Sequence, residues 1–152
     1  ASLSRTNWEG ASLEQVVREE LSALAPADRF HLAGLDVTLK AWQVQPVQMI
    51  VHELVTNALK YGAFSSTEGQ VDVNWRFQEG SGLQMVWREH RGPVVSPPQK
   101  TGFGTRLIHG LAKQLGGQVE MDWRSTGLLA TLTWRLEHRR SVRRDGAGAS
   151  QA

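Results

Sequence analysis

The chain has 152 residues, 40% apolar and 21% charged, which is the composition of one folded domain and not of a disordered segment. It contains no cysteine, which excludes a disulfide scaffold, cysteine-ligated zinc, an iron–sulfur centre and thiol catalysis. Lysine and arginine total 17 against 15 acids for a net charge of +2, and five arginines fall between Arg135 and Ala152, so the basic excess belongs to that end and no uniformly basic nucleic-acid face is expected.

Ser12 before LEQVVREELSAL, with Gln15 three residues on, predicts a capped helix whose apolar residues Leu13, Val16, Val17, Leu21 and Leu24 share a face until Pro26 stops it. Alternation through Leu35, Val37 and Leu39 predicts one or two short strands between Phe30 and Trp42. Pro46 suits the first turn of a second helix that runs to about Tyr61 and ends at Gly62. Val71, Val73, Trp75 and Phe77 alternate with polar residues, and a turn at 79–82 leads to Leu83–Glu89, which predicts a hairpin. His90–Gly104, rich in proline and glycine, reads as a loop. A third helix follows over about Thr105–Leu115, then a second hairpin, Gln118–Arg124 with Leu128–Leu136. Residues 137–152 read as a basic, disordered tail, leaving 1–136 as the domain. This order predicts an α+β, two-layer α/β sandwich, with about three helices on one face of a mixed, mostly antiparallel sheet. No apolar run reaches the roughly 20 residues that span a bilayer, and Ala1–Gly10 lacks the pattern of a signal peptide. A cytoplasmic domain without direct membrane contact is expected.

Two stretches carry chemistry. In PVQMIVHELVTNALKYG, Glu53, Asn57 and Lys60 fall at i, i+4 and i+7 and share one stripe beside the apolar face. A carboxylate, a carboxamide and an ammonium so aligned can act on one ligand, although a polar stripe on an amphipathic helix is more often simply solvated. In the second stretch, Gly102-Phe103-Gly104 stands where a loop enters a helix. Glycines there let phosphates approach free N–H groups, and Lys100 and Arg106 flank the site. It lacks the Gly-Lys-Ser/Thr ending of a P-loop and does not follow a strand directly, so neither the Walker nor the dinucleotide fingerprint applies.

HELVTNALKYGAFS resembles the N box of the GHKL superfamily (Bergerat fold), shared by histidine kinases, chaperone ATPases, type II topoisomerases and mismatch-repair ATPases. His52-Glu53 in that box, Trp87-Arg88-Glu89 downstream, and GFGTRLI after it resemble the HWE group of sensor histidine kinases over about Trp8 to Leu136. The resemblance implies that Asn57 is the Mg²⁺ ligand bridging to the phosphates of ATP and that Glu53 orders water or serves as a base. Glu89 would accept a hydrogen bond from the adenine amino group, beside Gly92. Gly102, Phe103, Gly104, Thr105 and Arg106, with Lys100, would form the phosphate region. Pro93 to Thr101 would form a short lid, and Lys60 and Tyr61 match recurrent N-box positions.

Arg91 stands where HWE-type sequences usually carry a glycine, and Leu128 where many relatives place a threonine. No segment resembles a phosphoacceptor helix: His31, His90, His109 and His138 lack its context. The resemblance therefore implies a kinase catalytic domain that serves a separate phosphoacceptor and dimerisation domain and, downstream, a response regulator. The alternatives are an anti-sigma-factor-type serine kinase of the same superfamily and a non-catalytic nucleotide-responsive module. DNA handling is the weakest reading, since no transducer domain accompanies the boxes.

Overall fold

The computed structural model describes residues 10–94 and 103–136. In chain order the elements are β1 (Ala11–Ser12), α1 (Leu13–Leu24), a 3-10 turn (Ala27–Arg29), β2 (Phe30–Gly34), β3 (Thr38–Leu39) and α2 (Ala41–Lys60). A second 3-10 turn (Ala63–Ser65) leads to β4 (Gln70–Gln78), β5 (Gly82–His90), α3 (Phe103–Gln114), β6 (Gln118–Arg124) and β7 (Gly127–Arg135). The main sheet has the order β2-β4-β5-β7-β6. Only the β2–β4 pair is parallel, and β1 and β3 form a separate two-residue bridge. This is the α+β sandwich that the sequence predicts.

Strand register assigns the two faces. Val71, Val73 and Trp75 stand opposite Glu89, Trp87 and Met85, while Met85 and Trp87 stand opposite Leu132 and Ala130. This row is buried, because residues at i and i+2 share a face and α1, α2 and α3 cover it. The opposite face carries Asn74, Arg76, Arg88, Glu120 and Asp122, all exposed. Trp75 packs in the core and its indole N–H donates to the Leu35 carbonyl at 2.8 Å. Burial of Val47, Ile50, Val51, Leu54, Val55 and Ala58 makes α2 the central helix, touching both α1 and α3.

Two boundaries differ from expectation. Helix α2 begins at Ala41, so Pro46 lies inside it and costs one backbone bond early in the helix. What starts the helix is Gln43. Its Oε1 accepts from the Lys40 N–H at 3.0 Å, and its Nε2 donates to the carbonyls of Arg135 and Leu136 at 3.2 and 3.0 Å. This fully buried amide is thus satisfied at both ends. Helix α3 begins at Phe103, two residues early, because a first helical turn needs no internal N–H bonds and so tolerates Gly104. The expected tail, 137–152, lies outside the described residues.

Candidate functional site

Glu89 ends the buried row of β5. It is 3% exposed, although a carboxylate is rarely buried without a cation. Its oxygens are held separately. Oε1 accepts from the Ala63 backbone N–H at 3.0 Å, and Oε2 accepts from the Trp87 indole N–H at 2.9 Å. The two-residue spacing of Trp87 and Glu89 on one strand face makes the second bond possible. Burial pushes the Glu89 carboxyl above its ordinary value of 4.5, and the two hydrogen bonds, from Trp87 and then Ala63, oppose that rise. Gly62, just past α2, presses so closely on Glu89 Oε1 that a β-carbon there would collide with it. Gly92 lies against the Ala63 backbone. Leu128 is buried at the start of β7.

Glu53 and Asn57 lie one turn apart on α2, both half-buried. Gly104, in the first turn of α3, faces them. A β-carbon on it would stand 2.6 Å from Glu53 Oε1 and 4.0 Å from Asn57 Oδ1. Among the described residues no hydrogen bond reaches the Glu53 carboxylate. A cleft of about 230 Å³ opens beside it, lined by Glu20, Gln48, Met49, His52 and Leu107. His52 turns away, with Nδ1 at 3.0 Å from Glu20 Oε1 on α1. A larger cleft of about 490 Å³ lies around Gly82, Gln118 and Arg135, at the far ends of β5 and β7 and away from both acids.

The fold thus brings Glu53, Asn57 and Gly104 together at one place, and Glu89 to the Gly62, Ala63 and Gly92 backbone at another. Lys60 is exposed, Tyr61 is 67% exposed, Phe103 is 73% exposed, Thr105 is half-buried and Arg106 is exposed. Lys100, Gly102 and all of the expected lid, Pro93 to Thr101, beyond Val94 lie outside the described residues. Arg91 takes a left-handed φ of 63° and reaches Glu68 at 3.9 Å, so the position usually filled by glycine has the backbone conformation that glycine prefers. The sequence did not reveal the Ala63 amide or the close approach of Gly62. The only signal was the glycine itself, and it reads equally well as a helix stop.

Among the described residues no group of three or more His, Asp or Glu side chains is arranged to hold a metal ion. A divalent cation at Asn57 would therefore complete its shell with a ligand's phosphates and with water, which suits Mg²⁺.

A mixed five-stranded sheet covered on one face by three helices is the fold of a histidine kinase catalytic domain. It is similar to the histidine kinase domain of the blue-light activated histidine kinase from Erythrobacter litoralis EL346, with a TM-score of 0.70 and 18% identity over 85% of this chain and 61% of that one. It is similar also to the catalytic domain of the histidine kinase ThkA, with a TM-score of 0.63 and 15% identity over 82% of this chain and 94% of that one. No family model matches the chain. In sequence it is 35% identical over 136 residues to the blue-light-activated histidine kinase of Brucella ovis, covering 84% of this chain. The chain belongs to the histidine kinases. It spans 27% of the length of that relative, a domain's share. No helix among the described residues is long and apolar enough to cross a membrane.

Proposed function

We propose that residues 1–136 form the catalytic unit of an HWE-type sensor histidine kinase. In this reading the unit binds Mg·ATP and donates the γ-phosphoryl group to a histidine on a separate phosphoacceptor and dimerisation domain, from which a response regulator receives it. One observation carries the reading. Glu89 is a buried carboxylate with no cation beside it among the described residues, held at both oxygens and set against backbone that Gly62 and Gly92 allow to approach closely. A fixed acceptor of this kind suits the exocyclic amino group of adenine and repels the carbonyl oxygen of guanine.

The rest of the site follows from donor chemistry. Asn57 would hold Mg²⁺, which when bound neutralises phosphate charge. Glu53, whose carboxylate has no hydrogen-bond partner among the described residues, orients a water or accepts a proton. Gly102 and Gly104 leave room for phosphates, and the amides that open α3 favour their charge. Lys60, Lys100 and Arg106 supply cations, Thr105 a hydroxyl, and Phe103 and Tyr61 the apolar rim. Phosphoryl transfer needs mainly positioning and charge neutralisation, which such a set provides.

The described histidines support a separate acceptor. His31 lies on β2, His52 pairs with Glu20, His90 lies 3.0 Å from Asp72, and His109 is exposed on α3. The chain incubated with radiolabelled Mg·ATP is expected to stay unlabelled on histidine, and a fused helix pair bearing a histidine is expected to acquire acid-labile label. Asn57→Ala should abolish both that label and the thermal stabilisation by Mg·ATP while the protein remains folded. Acid-labile label on the isolated chain would overturn the proposal. Acid-stable label on the serine of a partner would favour the anti-sigma alternative.

A further inference from the structure

Arg29 closes the 3-10 turn before β2, far in sequence from either box, yet its guanidinium organises the loop after α2. Its Nε donates to the Gly69 carbonyl at 2.8 Å, and its Nη2 donates to the Ser66 and Ala63 carbonyls at 2.6 and 3.4 Å. The guanidinium carbon lies 5.5 Å from the centroid of the buried Phe64 ring. Three carbonyls and one ring of a single seven-residue stretch thus converge on one side chain. Gly69 folds back onto the Ala63 backbone, and Gly92 packs on it from the other side. The free N–H of that same Ala63 holds Glu89 Oε1 at 3.0 Å.

We infer that Arg29 is a positioning residue for base recognition: by clamping the 63–69 loop it fixes the Ala63 amide that orients the Glu89 carboxylate. The inference rests on the assignment of Glu89 to the base. Arginine suits the task because its planar fork serves several acceptors at fixed angles, whereas an ammonium donates from a single freely rotating nitrogen and fixes no such angles. Without the fork the loop keeps its chain path but loses its register on Glu89. The carboxylate then turns between rotamers, and its acceptor is no longer waiting for the amino group. Among the described residues Arg29 donates to the 63–69 loop and to none of Glu53, Asn57 and Gly104 at the phosphate end of the site.

Binding of Mg·ATP and of Mg·tripolyphosphate, which has no base, to the whole chain and to its Arg29→Met and Arg29→Lys variants tests the inference. ATP affinity is expected to fall on the order of tenfold in Arg29→Met, the effect of one lost hydrogen bond to a charged group, and less in Arg29→Lys. Tripolyphosphate affinity should stay within about twofold, since a purely local change leaves the phosphate contacts in place. A parallel loss of both ligands, or no loss of either, would overturn it. A second measurement needs no nucleotide. Hydrogen exchange at the Ala63 amide should accelerate in both variants, and the Trp87 indole resonance should move, while the Leu132 amide on β7 stays protected. If the unsubstituted chain does not prefer ATP to tripolyphosphate, the assignment of Glu89 to the base fails, and exchange at Ala63 alone decides the role of Arg29. Unchanged Ala63 exchange in both variants refutes the clamp.

Discussion

Glu89 and Glu53 are the same side chain in opposite circumstances. Glu89 sits on a core strand, nearly inaccessible, with each oxygen already accepting a hydrogen bond from the protein. Glu53 sits on a half-exposed helix turn, and among the described residues nothing donates to its carboxylate. A preset acceptor discriminates between ligands because its geometry cannot adapt. A carboxylate without partners is available to bind, orient or take a proton from whatever arrives. Under the function proposed above, the difference separates reading a base from handling a phosphate, and it predicts that the two acids respond oppositely to the same substitution.

Glu53→Gln removes a charge that no group among the described residues satisfies, so the melting temperature should hold. If Glu53 acts as base, phosphoryl transfer to a supplied acceptor helix should fall about 10²–10⁴-fold in a single-turnover assay. Glu89→Gln should do the reverse. A carboxamide offers one oxygen where two donors wait, so its N–H₂ must face either the Ala63 N–H or the Trp87 indole N–H, at a cost of about 1–3 kcal/mol. Denaturant titration reads that loss, and competition binding should show a lower ATP-to-GTP ratio.

The pH response sharpens the contrast further. Because burial raises the Glu89 carboxyl above 4.5, the folded state keeps a proton that the unfolded state has already lost. The contribution of Glu89 to stability is therefore fullest below 4.5 and declines as pH rises through the folded value, then levels. An amino-group donor prefers the charged form, so ATP affinity should rise across the same window. Melting curves of the unsubstituted protein from about pH 4 to about pH 8 should carry this slope, and those of Glu89→Gln should lack it. The smallest effect is expected at Arg91, which lies next to the base end without touching Glu89. Arg91→Gly relieves a left-handed backbone and should stabilise by up to about 1 kcal/mol. The exposed Glu68 pair that it gives up, 3.9 Å long, contributes little.

The two acids also mark how far the sequence could be read. The hairpins were legible because Val71, Val73, Trp75 and Phe77 obey a two-residue period, and α1 because Ser12 caps it: the Gln15 N–H donates to Ser12 Oγ at 3.2 Å. Glu53 and Asn57 were legible because helical spacing alone puts them on one stripe. The start of α2 was not, because its cap is Gln43, whose partners at Arg135 and Leu136 lie more than 90 residues away. Arg29 was invisible for the same reason: its partners lie 34 to 40 residues on and are backbone carbonyls, which leave no mark on residue type. The resemblance assigned Glu89 a role, but only the fold reveals that Trp87 and Ala63 aim it.

The described chain enters at Ala11, paired with Leu39, and leaves at Leu136, bonded to Gln43, so both ends meet at the first turn of α2. The acids lie toward the other end of that 20-residue helix, which is about 30 Å long. Ala11 and Leu136 thus lie at the pole of the described fold remote from Glu89. Because α2 runs unbroken from Ala41 to Lys60, the turn that gathers those two positions and the turn that meets Gly62 belong to one continuous helix.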